Sequence, residues 1–387
     1  MARHGAGRRT GWSVPRIVLV VLLLAGVLTA GAVIHTAATG DEPVCVGDVG
    51  FNWPSAGRVY VAGVPDRSVS PADPARAFTV AKQAGIAQVR VLVGVDAAIE
   101  AWRSDPSAAV AAVQRMVADA GDRGLQLVLS NYPDQAMIGA LAGHPYDSWQ
   151  AAQQDLTTPG SVPWEQFSAW LTAIVPPLAL DPRVASWEVV NEPGYMLGID
   201  NGTVDTDTGL GFVEHFAALL KDLGARTVNG GGRPVYDPMQ LTDAQLAAYV
   251  ADLDVLDDHM YATGDGAPGT ATPASDTAAD GRAAVEQAVR WFQRAREVSG
   301  RPDLPAMLGE VGSQPTAWFT GVLTAATEQG LPVLAWGFDA YDVNEFTDTL
   351  NPETLQLLTD AAARATDVNG STPARVGTPR CRPDGGS

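Results

Sequence analysis

The sequence predicts an α/β chain folded as a single (β/α)₈ barrel, and three observations predict it. Short apolar segments alternate with longer helix-like segments eight times along the chain. The apolar segments lie too far apart for hairpins, and they read as continuous hydrophobic runs, as strands buried on both faces do. One of them, Trp187-Glu188-Val189-Val190, runs straight into Asn191-Glu192-Pro193. An acidic turn therefore stands where a barrel places its chemistry, at the carboxyl end of a strand.

Taken in order, residues 1–40 come before the barrel. Arg3, Arg8, Arg9 and Arg16 precede Ile17–Ile34, a run of 18 residues without a charge. A cleaved export signal has an apolar stretch of about 7–15 residues and a spanning helix needs roughly 20, so the run fits a signal peptide or a membrane anchor. Either one places the body of the protein outside the cell, released or membrane-anchored, with the basic stub in the cytoplasm.

The barrel is expected over residues 41–370. Asp48–Trp53 reads as the first strand, and Pro74–Ala84 as a helix stopped by Gly85. Gln88–Val93 is the second strand, and Asp105-Pro106 opens an Ala-rich helix ending near Gly121. Leu125–Leu129 is the third strand, followed by a long Gly-, Pro- and aromatic-rich loop that leads to a helix over Pro163–Pro176. Val184–Val190 is the fourth strand, and helix Gly209–Leu223 leads into the fifth, Arg226–Asn229, with Gly230-Gly231-Gly232 as a tight turn. Helix Thr242–Ala251 and strand Val255–Tyr261 follow, then a loop insertion over Thr263–Asp280. Helix Arg282–Val298, strand Ala306–Leu308, helix Thr316–Glu328, strand Pro332–Trp336 and helix Pro352–Ala365 complete the eight units. Residues 371–387 form a polar tail that contains Cys381.

Composition narrows the partners. The chain is 46% hydrophobic, enough for a large core, and carries a net charge of −19. Its first 16 residues are basic, so the remainder is more acidic still. Nucleic-acid binding needs the opposite balance, because neutralising phosphates supplies most of its affinity. The two cysteines, Cys45 and Cys381, flank the barrel. In an oxidising compartment they are a candidate disulfide that would tie the start of the fold to its tail; two unpaired thiols are the alternative. No His-Glu-x-x-His, Cys-x-x-Cys or Gly-x-Ser-x-Gly motif occurs, and the five histidines are scattered. No metal or cofactor is expected.

The chemistry rests on carboxylates. Glu192 follows the fourth predicted strand and Glu310 the seventh, in Pro305-Ala306-Met307-Leu308-Gly309-Glu310. Two glutamates facing one barrel mouth are the minimum equipment for retaining glycoside hydrolysis, in which one protonates the leaving oxygen and the other attacks the anomeric carbon. Trp53, Tyr132, Tyr195 and Tyr341 are candidates for stacking on sugar, with ordinary aromatic packing as the alternative.

These motifs resemble the clan of (β/α)₈ glycoside hydrolases with catalytic glutamates on strands four and seven, nearest to the cellulase-like enzymes of family 5, over about residues 46–365. The resemblance implies that Glu192 is the acid/base and Glu310 the nucleophile, and that Asn191 holds a sugar hydroxyl. It implies that Arg90, on the second strand, keeps the nucleophile ionised. His259 and Tyr261, in a His-x-Tyr pattern, would contact sugar and nucleophile, and Trp336 would be the sugar platform. One position departs: where many members carry a histidine at the end of strand three, this chain has Leu129-Ser130-Asn131-Tyr132. Asn131 is expected to donate a hydrogen bond to substrate in its place.

The expected activity is hydrolysis of a neutral β-linked oligo- or polysaccharide. A transglycosylase would use the same site with a sugar as acceptor, and a non-catalytic glycan-binding barrel would need the aromatics but neither glutamate. A Schiff-base aldolase would need a lysine at a strand end, and Lys82 and Lys221 are on predicted helices.

Overall fold

Inward and outward side chains alternate along each strand, and this sorts the barrel into two layers. The computed structural model describes residues 49–65, 72–262, 277–312, 315–336 and 352–368. The expected export segment, Cys45, Cys381, Tyr341 and the insertion up to residue 276 lie outside these residues. Among the described residues no helix is long and apolar enough to cross a membrane.

Eight parallel strands are described: β1 (Val49–Trp53), β2 (Gln88–Gly94), β3 (Gln126–Asn131), β4 (Val184–Glu188), β5 (Val228–Asn229), β6 (Leu256–Met260), β7 (Ala306–Gly312) and β8 (Val333–Trp336). Their order is β5-β4-β3-β2-β1-β8-β7-β6, with helices between successive strands. Outward side chains such as Phe51, Val89, Val91, Leu127, Leu129 and Trp187 join the main apolar core under the helices. Fully burying each such side chain contributes roughly 1.5–3 kcal/mol. Inside the ring, Val128, Val255, Met307 and Leu334 form a small separate apolar plug. Above that plug the interior turns polar.

The ring closes between β5 and β6 through a single parallel bridge, Asn229↔Val255. β5 is short because a side chain replaces part of its ladder. The N–H of Val228 donates to Oδ2 of Asp254 at 2.8 Å, and Asp254 also pairs with Lys221.

Helix positions follow their caps. Asp105 caps Pro106–Gly121 by accepting from Ala108 N at 3.0 Å, and Pro106 sits where its missing N–H costs nothing. The segment after β3, read from sequence as a long loop, contains helices Gln135–Ala142 and Trp149–Leu156. They are capped by Asp134 (to Met137 N, 2.7 Å) and Ser148 (to Ala151 N, 3.1 Å). Helices Ala56–Tyr60 and Asp96–Ser104 are further additions to the predicted set.

The seam gives a stability prediction. Asp254→Ala strands the Val228 N–H and is expected to cost about 1–3 kcal/mol in chemical denaturation. An unchanged midpoint would show that the seam is held by other contacts.

Candidate active site

The residues around Glu192 have left the sheet. β4 ends at Glu188, two residues before the predicted limit, because the next N–H groups leave its ladder for the ends of β5 and β3 and for the glycine turn. Val189 N donates to Asn229 O (3.0 Å), Asn191 N to Asn131 O (2.7 Å) and Glu192 N to Gly231 O (2.7 Å). Glu192 has φ 43° and is the only non-glycine residue with positive φ among those described. Such a conformation costs on the order of 1–3 kcal/mol and persists only where its surroundings enforce it. Gly231, at φ 83°, supplies the enforcing surface: a Cβ there would lie 1.8 Å from Val190 O. The triple glycine is thus a turn, as expected, and also the bed on which the acidic turn lies.

Glu310 lies inside β7 rather than at its end, and it is buried. Its Oε1 accepts from the Tyr261 hydroxyl, and its Oε2 accepts from Arg90 Nη1 at 3.2 Å. His259 stands between the two glutamates, its Nδ1 3.4 Å from Glu192 Oε1 and 3.5 Å from Glu310 Oε2. A carboxylate oxygen of Glu192 lies within 4.8 Å of one on Glu310. The two acids that sequence places on different strands therefore meet across one small gap.

Arg90 organises the floor beneath them. It forks onto Glu188, with Nε to Oε1 at 2.8 Å and Nη2 to Oε2 at 2.7 Å, both residues fully buried. Nη1 also donates to Asn52 Oδ1 (2.9 Å), and Nη2 to Asn191 Oδ1 (2.6 Å) and Ser130 Oγ (3.2 Å). The Asn191 carboxamide is thereby fixed by its oxygen. Asp257 accepts from Gly309 N (2.6 Å) and Asn229 Nδ2 (2.9 Å). Gly309 is required there, since a Cβ would lie 2.3 Å from the Asp257 carboxylate.

Burial dominates the titration of this cluster. It pushes the Glu310 carboxyl up to about 8; His259 and Arg90 pull the value down, while Glu192 and Glu188 add to the rise. Burial draws the His259 imidazole down, but Glu310, Asp257 and Glu192 more than reverse this and hold it well above its ordinary value. For Arg90 too, Glu188, Glu310 and Asp257 outweigh burial and keep the guanidinium charged. Groups this close lose their protons as a set.

Two expected site residues are elsewhere. Asn131 is fully buried and faces outward. Its Nδ2 donates to the carbonyls of Glu188 (3.3 Å) and Val189 (3.2 Å), and its Oδ1 accepts from Trp170 Nε1 (3.0 Å). Its amide ties β3 to the exit of β4 and donates nothing to substrate. Trp53 is also fully buried, edge-on to Tyr60 and Phe78 at centroid distances of 6.0 and 5.3 Å, so it is core and cannot stack on sugar. Trp336 pairs with Gly312 across the β7–β8 ladder and is half-buried at the rim. Tyr132 is half-buried beside the acids; burial raises its hydroxyl first, followed by the charges of Asp134, Glu192 and Glu310. Glu188, Asn52 and Asp257 carry the site without having been assigned a role from sequence. A glutamate within an apolar strand was the available sign, because a buried carboxylate demands a cation.

Two groups of side chains could approach a metal, Glu192–His259–Glu310 and Glu188–Asp257–His259. In the second, Arg90 already takes both oxygens of Glu188, and Asp257 is bonded to Gly309 and Asn229. In the first, the charged Arg90 sits against Glu310. Neither set suits an added cation.

No protein-family model and no curated protein matches the sequence. Solved structures do match in fold. An endo-β-1,4-mannanase from Thermotoga petrophila superposes with a TM-score of 0.55 at 13% identity, covering 85% of this chain and 78% of that one. A GH5-4 broad specificity endoglucanase from Clostridium longisporum gives 0.53 at 15%, covering 82% and 96%. An exo-β-1,4-mannosidase from Opitutaceae bacterium strain TAV5 gives 0.57 at 16%, covering 84% and 60%. The fold is that of the family 5 glycoside hydrolases.

Two predictions follow from the charge network. Glu188→Ala leaves Arg90 buried without its main partner and is expected to cost about 3–5 kcal/mol in urea unfolding; a loss under 1 kcal/mol would contradict the pairing. A carboxyl whose folded pKa is raised is protonated in both states below the unfolded value, and its penalty grows as pH rises toward the folded one. Wild-type stability is therefore lost between about pH 4.5 and 8 through Glu310. Glu310→Gln should gain in melting temperature over wild type across that window, with no widening gap as the contrary result.

Proposed function

We propose that this protein is a retaining O-glycoside hydrolase that cleaves a neutral β-linked glycan by double displacement, with Glu310 as nucleophile and Glu192 as acid/base. The observation that carries the reading is the gap between the two carboxylates, within 4.8 Å at their nearest oxygens. Retaining enzymes need about 5–5.5 Å between carboxyl groups, whereas inverting enzymes need roughly 6.5–9.5 Å to admit a water.

The hydrogen bonds support these roles. Two donors, Arg90 Nη1 and the Tyr261 hydroxyl, bond Glu310, and the His259 imidazole stands 3.5 Å from it as an ion-pair partner; all three favour its anion. Glu192 meets only His259 among these, and its side chain is 28% exposed, open to the leaving group. Double displacement then requires the attacking anion at Glu310 and the transferable proton at Glu192.

In the first step Glu310 attacks the anomeric carbon, the glycosidic C–O bond breaks, and the leaving oxygen takes the proton from Glu192. In the second, the Glu192 carboxylate takes a proton from water, whose oxygen attacks the same carbon and releases Glu310. Asn191 presents its Nδ2 to a sugar hydroxyl, and Trp336 offers its half-buried ring beside the nucleophile strand. The endo-β-1,4-mannanase, the endoglucanase and the exo-β-1,4-mannosidase of like fold support the choice of a neutral β-glycan. The basic stub and apolar run of residues 1–34 support an exported location, released or anchored.

Glu192→Gln and Glu310→Gln should each lower turnover on a panel of aryl β-glycosides and β-glycans by roughly 10²–10⁴-fold. Proton NMR of the first-formed sugar should show the β-anomer. Inverted product, or full activity in either variant, would refute the assignment.

A further inference from the structure

The turn that carries Glu192 has little regular structure to hold it. β4 has already ended at Glu188, and only the four-residue helix Pro193–Met196 follows. Glu192 sits at φ 43° and ψ 68°, and its N–H donates to Gly231 O at 2.7 Å. Where its carboxyl stands therefore depends on where the glycine turn stands. Gly231 and Gly232, at φ 83° and 116°, have no side chains with which to anchor themselves.

Three contacts anchor them instead. From inside the barrel, Asn229 Oδ1 accepts from Gly231 N at 2.8 Å. From behind, the hydroxyl of Tyr249 donates to Gly232 O at 3.0 Å. Tyr249 lies on helix Asp243–Val250 and is buried, and its hydroxyl would stand 2.2 Å from a Cβ on Gly230. At the far end of the turn Arg233 pairs through Nε with Oδ1 of Asp258, on β6. The other oxygen of Asp258 accepts from Trp291 Nε1 at 3.0 Å, and its carboxylate is fully buried, which fixes the guanidinium against it. The turn also touches a second site residue. A Cβ on Gly232 would lie 3.3 Å from the ring of His259, whose Nδ1 is 3.4 Å from Glu192 Oε1.

Among the described residues, neither Tyr249 nor the Arg233–Asp258 pair is bonded to Glu192 or Glu310. Their polar groups hold the backbone of a loop instead. Packing alone would be served as well by phenylalanine at position 249, so the hydroxyl calls for a separate reason.

We propose that Tyr249 and the Arg233–Asp258 pair are positioning residues for Glu192, holding its carboxyl in reach of the leaving oxygen by pinning the glycine turn beneath it. The inference rests on the acid/base role given to Glu192 above. A general acid works within about 2.6–3.2 Å of the oxygen it protonates, and a displacement of about 1 Å costs on the order of a hundredfold in rate. Glu310 does not share this dependence, because it is built into β7. Loosening the turn should weaken proton donation and spare nucleophilic attack.

That split can be measured. Phenol is a poor leaving group that needs the proton, whereas 2,4-dinitrophenol departs as its anion without one. The experiment reads kcat/KM, which covers the steps up to bond cleavage, on phenyl and 2,4-dinitrophenyl β-cellobiosides and β-mannobiosides. Tyr249→Phe is expected to lower it about tenfold on the phenyl glycosides and to leave it within about twofold on the dinitrophenyl ones. Arg233→Gln should show the same bias, and Arg233→Lys, which keeps the charge, should restore most of the loss. In a Glu192→Gln background Tyr249→Phe should add no further bias, because the carboxyl it positions is gone. Tyr60→Phe removes the hydroxyl hydrogen bond of another buried tyrosine, to Asp119 Oδ2 at 2.9 Å, and should show no bias. Equal losses on both substrates in Tyr249→Phe, no loss on either, or a full further bias in the double variant would overturn the positioning role and leave the hydrolase reading standing. A Glu192→Gln variant without the bias would remove the acid role of Glu192, and the inference with it. A wild type that cleaves no β-glycoside would overturn the inference and the hydrolase reading together.

Discussion

One buried cation holds the centre of this molecule. Arg90 has no exposed side-chain surface, and its donors reach Asn52 on β1, Ser130 on β3, Glu188 on β4 and Glu310 on β7, as well as Asn191 beyond β4. With its own β2 it links five of the eight strands through side chains alone. Taking a guanidinium and a carboxylate out of water costs several kcal/mol per ion, and only good geometry with further hydrogen bonds offsets this. The fork onto Glu188 provides the geometry, and the amides and hydroxyl provide the remaining acceptors. Because those partners sit on different strands, the acids above them inherit fixed positions.

The strain in the structure is concentrated around that centre. Glu192 adopts a backbone conformation that glycine would tolerate better, Glu310 is buried against the preference of its charge, and His259 Nε2 is buried without a hydrogen-bond partner among the described residues. Each is unfavourable in isolation. The apolar layer between strands and helices, which includes Trp53, Trp170, Trp187 and Trp291, is where the compensating stability resides. The division is spatial: the outer layer stabilises, and the inner layer is arranged for chemistry.

Much of this was legible in the residues. Strands buried on both faces show as apolar runs, so the eight units and the two glutamates at the barrel mouth could be read directly. What failed was mostly a matter of parity. Ser130 points into the barrel and reaches Arg90, whereas the next residue, Asn131, points out to Trp170. Asn52 points in, and Trp53 points out. A shift of one residue exchanges the faces of a strand, and composition alone does not set that phase. Glu188 shares the inward face, but its ion-pair partner Arg90 is distant in sequence, so no local pattern joins them. The segment 134–161 was read as loop from its Gly, Pro and aromatic content, although Asp134 and Ser148 are good helix caps. Glu192 follows β4, but its left-handed backbone depends on the neighbouring Gly231, a contact no local pattern shows.

The single bridge between β5 and β6 has a further consequence. Going round the ring from Glu192 to Glu310 by the shorter route crosses this junction, so no continuous ladder fixes their separation there. The ring behaves like a belt whose buckle lies between its two acids. Across it the strands are tied by that bridge and by side chains, Asp254 accepting from the Val228 N–H and Asp257 from Asn229, rather than by a ladder. The width of the gap between the acids is therefore set by side chains, those of Arg90 and His259, more than by strand pairing.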